Sequence, residues 1–150
     1  MEIEVYKSFV RNHEYMSGVS RNEHRVRQTA EVFTPTELVI EILDDVQKCK
    51  PELFTDKTKT FIDNCCGDGQ YLSEVVIRKL ETNKCSLEEA LSTTFGVDIM
   101  EDNVKLCKKR LAGPNPTPQI IAILDKNIVC ADALTYDYSF GYPVGIEVWC

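Results

Sequence analysis

The stretch Asp63-Asn64-Cys65-Cys66-Gly67-Asp68-Gly69-Gln70-Tyr71-Leu72 decides the fold. It follows Lys59-Thr60-Phe61-Ile62, a short apolar run that reads as a strand ending in Asp63. It leads into Tyr71 to Leu80, where Leu72, Val75, Val76 and Leu80 recur at helical spacing. Two glycines around one residue let the backbone turn sharply and leave no Cβ between the chain and a ligand. Strand, glycine turn and helix in this order open a parallel α/β unit, whose ligand belongs at the carboxyl ends of the strands.

Toward the C-terminus the pattern repeats. Ser86-Leu87-Glu88-Glu89 is a capping box that opens a short helix. Thr94 to Ile99 reads as a second strand meeting Asp98, and residues 101–112 form an amphipathic helix through Val104, Cys107 and Leu111. Gly113 to Pro118 cannot continue that helix. A short helix over Gln119 to Leu124 and a third strand over Asn127 to Ala131, running into Asp132, complete the series. Toward the N-terminus, Thr34-Pro35-Thr36-Glu37 reads as a capping box with proline at the first helical position, opening a helix over 34–49. Its apolar face is Leu38, Val39, Ile42, Leu43 and Val46. Residues 1–30 form a polar, weakly periodic segment with a short helix at 21–29. The expected fold is α/β: a partial Rossmann-like, doubly wound parallel sheet over residues 31–150, with a helical N-terminal segment.

Composition narrows the function. The chain has 150 residues, the size of one domain, with 43% hydrophobic and 27% charged residues. It contains no run of about 18 apolar residues that would span a membrane. Met1-Glu2-Ile3-Glu4-Val5 does not resemble a secretory leader, so a cytoplasmic protein is expected. Seven cysteines without a C-x-x-C pair, far in sequence from His13 and His24, argue against a metal site and for reduced, mostly buried thiols. The net charge of −7 does not support tight DNA binding by this chain alone. Arg21, Arg25 and Arg27 cluster early, and the run Lys105, Lys108, Lys109, Arg110 reads as the solvated face of a helix.

The glycine turn also bears on the ligand. A dinucleotide site needs a third glycine and amides facing a pyrophosphate; here the third glycine is absent and Asp68 stands between the first two. A carboxylate-lined turn suits a ligand that carries an ammonium and a sulfonium, as S-adenosylmethionine does. Asp98 is placed to accept both ribose hydroxyls and Ile99 to lie against the adenine. A nucleotide-binding oxidoreductase fragment is the disfavoured alternative.

Glu31-Val32-Phe33-Thr34-Pro35-Thr36-Glu37-Leu38-Val39 resembles the N-terminal cofactor motif of adenine-N6 DNA methyltransferases of the modification-subunit type. Asp63 to Leu72 resembles their glycine-rich motif, with Asn64 where proline is usual. Gly96-Val97-Asp98-Ile99 and Cys130-Ala131-Asp132-Ala133-Leu134 are similar to the next two motifs, and Arg25-Val26-Arg27 is similar to the phage branch. The resemblance covers residues 25–134. It implies that Thr34 bonds the methionine carboxylate beside Phe33 and Pro35, and that Asp63 takes the ammonium. The Cys66, Gly67 and Gly69 backbone cradles the methionine part, Asp98 holds the ribose with Ile99 on the base, and Asp132, Ala133 and Leu134 surround the cofactor adenine.

The same resemblance implies what this chain lacks. The family's catalytic tetrad is asparagine or aspartate, two prolines and an aromatic, acting on a flipped base. No such tetrad occurs; Asn115-Pro116-Thr117-Pro118 lacks the second proline and the aromatic. The aromatic residues after Leu134 are expected to cover an exposed sheet edge. The expectation is therefore the cofactor-binding part of a restriction-modification type enzyme in a bacterial or phage-infected cell, with no catalytic residue of its own. It would act on DNA only with a second chain, such as a catalytic or specificity subunit. The alternative is a non-catalytic protein that holds S-adenosylmethionine or docks on a methyltransferase or restriction subunit.

Overall fold

A computed structural model describes residues 2–12 and 34–142. It begins with α1 (Ile3–Arg11), a helix that the weak periodicity of residues 1–30 did not announce. Tyr6 and Val10 on its inner face are fully buried, and the Tyr6 hydroxyl donates to the Leu111 carbonyl at 3.0 Å. Arg11 holds Glu74 with two hydrogen bonds of 2.9 and 2.7 Å. The helix expected at 21–29 lies outside the described residues.

Helix α2 (Thr36–Cys49) starts later than the sequence suggests. Pro35 is the N-cap with an extended ψ of 142°, and no side chain caps the helix, so the expected Thr34–Glu37 box does not form. With the start at Thr36, Glu37 falls one position short of the residue that could reach back. The expected apolar face also divides: Val39 and Leu43 are buried, whereas Leu38 and Ile42 are exposed. Helix α3 (Glu52–Thr55) buries Phe54, which joins Val39, Leu43 and Val75 in a small cluster beside Phe61 and Tyr71.

The remaining elements alternate as expected: β1 (Phe61–Asp63), α4 (Gln70–Asn83), α5 (Leu87–Ser92), β2 (Thr94–Asp98), α6 (Glu101–Ala112), α7 (Pro118–Asn127) and β3 (Ile128–Cys130). Both bonds of the Ser86–Glu89 capping box are made at the start of α5. Thr117 caps α7, and Pro118 occupies its first turn, where no amide is needed.

The three strands form a parallel sheet in the order β1-β2-β3. This is an α/β structure compatible with part of a Rossmann-like fold. Among the described residues the strand order advances in one direction, as in one half of a doubly wound sheet. Phe61, Thr94, Asp63, Gly96, Ile128 and Asp98 share one sheet face by register and alternation. That face carries the main core, where Leu72, Val76, Ile77, Leu91, Val104, Leu111 and Ile128 meet. On the other face Phe95 packs against Phe140 and Tyr142, with ring centroids 4.8 and 6.3 Å away. The aromatic segment thus covers a sheet face rather than an edge.

Lys79 is closed in at the amino end of the sheet, 2% exposed. Its ammonium donates to the carbonyls of Lys59 and Thr93 at 3.2 and 3.1 Å and to the Thr93 hydroxyl at 2.7 Å, tying the entries to β1 and β2 together. Burial lowers its pKa to about 8.

Candidate functional site at the carboxyl ends of the strands

Asp63 and Asp98 end β1 and β2 on the same sheet face, two registers apart on neighbouring strands. Both are half-buried. Burial raises the Asp63 carboxyl above its usual range, and the charge of Asp98 adds to the rise, while a bond from the Cys65 amide at 3.0 Å works against it. No basic side chain pairs with either carboxylate among the described residues, so the crevice they share is negative.

The turn between β1 and α4 runs through Gly67 and Gly69 at φ 52° and 88°. Gly69 needs both its left-handed conformation and its missing side chain, because a Cβ there would lie 2.8 Å from the Cys107 sulfur. The turn spends the amides of Cys66, Gly67 and Gly69 internally. Cys66 donates to the Val97 carbonyl, Gly69 to the Cys66 carbonyl, and Gly67 to Asp98 Oδ2. A phosphate cradle needs those amides free.

Asp98 is the hub of this arrangement. Its carboxylate accepts the Gly67 amide at 2.9 Å, the Met100 amide at 2.8 Å and the Asn103 side chain at 3.3 Å. A carboxylate has about four acceptor positions. About one is left for a ribose hydroxyl, so Asp98 accepts both hydroxyls only by releasing one of its own donors.

Asp68 corrects an expectation. It is 1% exposed and turned away from the crevice, with Oδ1 3.4 Å from Nη1 of Arg110, which is equally buried. It does not line the turn for a ligand. Arg110 in turn departs from the solvated basic face expected for α6: Lys105 lies outward, whereas Arg110 points inward and burial lowers its pKa. The Cys66 thiol is also buried, and contact with Cys107 together with burial raises its pKa. Among the described residues Cys66 and Cys107 are buried, Cys85 is half-buried and Cys49, Cys65 and Cys130 are exposed, so the expectation of mostly buried cysteines does not hold for them.

Asp132 is engaged in a turn of its own. The Ala131 amide bonds the Asp98 carbonyl at 3.0 Å, which brings the chain after β3 beside the end of β2. The exposed Asp132 side chain, however, accepts the Leu134 amide at 2.9 Å in a local turn. Ile99 is 65% and Leu134 94% exposed, and Ala133 is half-buried. Thr34 and Pro35 precede α2, whose first residue Thr36 receives a 2.8 Å bond from the Gln70 side chain. That bond sets the start of α2 against the start of α4. Phe33 lies outside the described residues.

Asn103 and Gln70 had no role in the sequence reading, which set Arg110 on a solvated face; helical spacing could have placed Asn103 and Arg110. Both fall on the buried stripe of α6 with Val104, Cys107 and Leu111. Gln70 carried no such signal. A cavity of about 670 Å³ lies elsewhere, between α1, the end of α4 and the start of α5, lined by Tyr6, Leu80, Lys84 and Leu87 among others. Among the described residues no group of side chains could hold a metal ion, and no helix is long and apolar enough to cross a membrane. No family model matches the chain, and no curated protein or solved structure matches it.

Proposed function

We propose that this chain is the S-adenosylmethionine-binding part of a DNA adenine-N6 methyltransferase, with the catalytic tetrad supplied by another chain or domain. One observation carries the cofactor part: two neighbouring, half-buried carboxylates at the ends of β1 and β2, with no basic partner among the described residues, beside a glycine turn in which the Cys66, Gly67 and Gly69 amides are already bonded. Such a crevice favours a cation and offers little to a phosphate. S-adenosylmethionine brings an ammonium and a sulfonium, and a nucleoside for Asp98 and Ile99. The preference for it over a dinucleotide therefore rests on the spent amides and on Asp63 and Asp98, not on Asp68.

The DNA and adenine parts rest on the motif resemblance alone. Calorimetry with S-adenosylmethionine and with NAD tests the cofactor; binding of NAD alone would overturn it. Transfer of labelled methyl groups to unmodified DNA tests the division of labour. The isolated chain is expected to be inactive, and robust transfer by it would show that the tetrad is not needed from elsewhere.

A further inference from the structure

Both α2 and α4 begin without a side-chain cap, and their first residues meet through the bond from Gln70 Nε2 to Thr36 Oγ1. Gln70 is 5% exposed, although a long polar side chain at a helix start ordinarily reaches water. Its other amide atom, Oε1, is shut off from solvent and has no hydrogen-bond partner. A buried acceptor left unmade costs about 1–3 kcal/mol, and a donor that arrives recovers it. The position is specific: Gln70 directly follows the glycine turn that Asp98 holds, on the helix that leaves the Asp63 strand.

We propose that Gln70 recognises the ammonium of the ligand's amino-acid end through Oε1, while Nε2 clasps the start of α2. This rests on the S-adenosylmethionine reading. An amide oxygen selects a donor and rejects a carboxylate or phosphate oxygen, which matches the preference set by Asp63 and Asp98. Because Oε1 is enclosed, the donor enters as the Thr36 end of the clasp gives way. Gln70 therefore also couples occupancy of the crevice to the position of α2.

Calorimetry with two ligands tests the proposal: S-adenosylmethionine, and 5′-methylthioadenosine, which keeps the nucleoside and its sulfur, as a neutral thioether, but lacks the amino-acid end. Gln70→Ala is expected to weaken S-adenosylmethionine about tenfold and to change 5′-methylthioadenosine by less than about twofold. Gln70→Glu keeps an acceptor and can accept a hydrogen bond from the Thr36 hydroxyl, so it restores most of the affinity; Gln70→Met, of similar volume, does not. The Glu and Met pair decides the matter if the alanine variant does not fold, or if the wild-type chain binds only the larger ligand. Equal losses for both ligands, or equal behaviour of the Glu and Met variants, overturn the role of Gln70 and leave the cofactor reading standing. A wild-type chain that binds neither ligand overturns both.

Discussion

Asp98 accepts the Gly67 amide proton at 2.9 Å, so the carboxylate that ends β2 is also the tether of the turn that ends β1. Ligand affinity and fold stability are therefore linked at this side chain. Asp98→Ala removes an acceptor from three donors and is expected to destabilise the protein by about 1–3 kcal/mol, with at least a tenfold loss in S-adenosylmethionine affinity. Urea unfolding and calorimetry on the same variant read the two effects. A loss of affinity at unchanged stability would mean that the tether contributes nothing to the fold.

Asp63 should behave in the opposite sense. Its carboxyl is held above the usual range by burial and by Asp98, so its ionised form opposes folding at neutral pH. A group with a raised folded pKa stabilises most below its unfolded value of 3.8, and that stability is lost as pH rises through the folded value. Asp63→Asn keeps an oxygen for the Cys65 amide and removes the charge. It is expected to raise Tm at pH 7 by roughly a few degrees while weakening S-adenosylmethionine. Thermal melts at pH 3 and pH 7 check the sign, since the gain should vanish at the lower pH.

Gly96 faces Leu72 closely enough that a Cβ would lie 2.8 Å from its Cδ1 and 3.0 Å from the Cys66 sulfur. Gly96→Ala is expected to cost about 1–3 kcal/mol through overpacking. Leu72→Ala alone should cost about 2–5 kcal/mol by leaving a cavity. The double variant should lose less than the two together, because the added methyl partly fills the space removed. Strictly additive losses in denaturant titrations would show that the two residues do not share that space.

Lys79 makes stability depend on alkaline pH. Its pKa falls from 10.5 to about 8 on folding, so the unfolded chain binds more protons between those values. Stability from this group is full above 10.5 and is lost as pH falls through about 8, a change on the order of 3 kcal/mol. The Cys66 thiol, with its raised pKa, acts in the other direction above about pH 9. The Lys79 contribution is therefore the difference between wild type and Lys79→Met. That difference should change across pH 8–10.5 and level off below pH 8.

The fold was legible wherever spacing and caps agreed. Helix α6 runs over residues 101–112 as read, and the Ser86 capping box forms as written. The start of α2 was misread because a capping box depends on which residue first turns helical, and an extended Pro35 moved that point. Helix α1 was missed although Ile3, Tyr6 and Val10 lie on one helical face, because polar neighbours diluted the pattern. At the site, Asp63 and Asp98 were legible as acids after apolar strands. Asp68 was not, because its direction depends on Arg110, 42 residues away. A buried lysine reads in a sequence like any exposed one, so Lys79 left no distinct sign there, whereas Arg110 could be placed by its position on the apolar stripe of α6.

The hydrogen bond from Tyr6 to Leu111 joins residues 105 positions apart. A ribosome releases α1 well before its partners on α6. Arg11 can meet Glu74 on α4 as soon as that helix has emerged, but the Tyr6 hydroxyl finds its acceptor only with Leu111. The seat of α1 is thus completed in two stages, set by the order in which its parts are made.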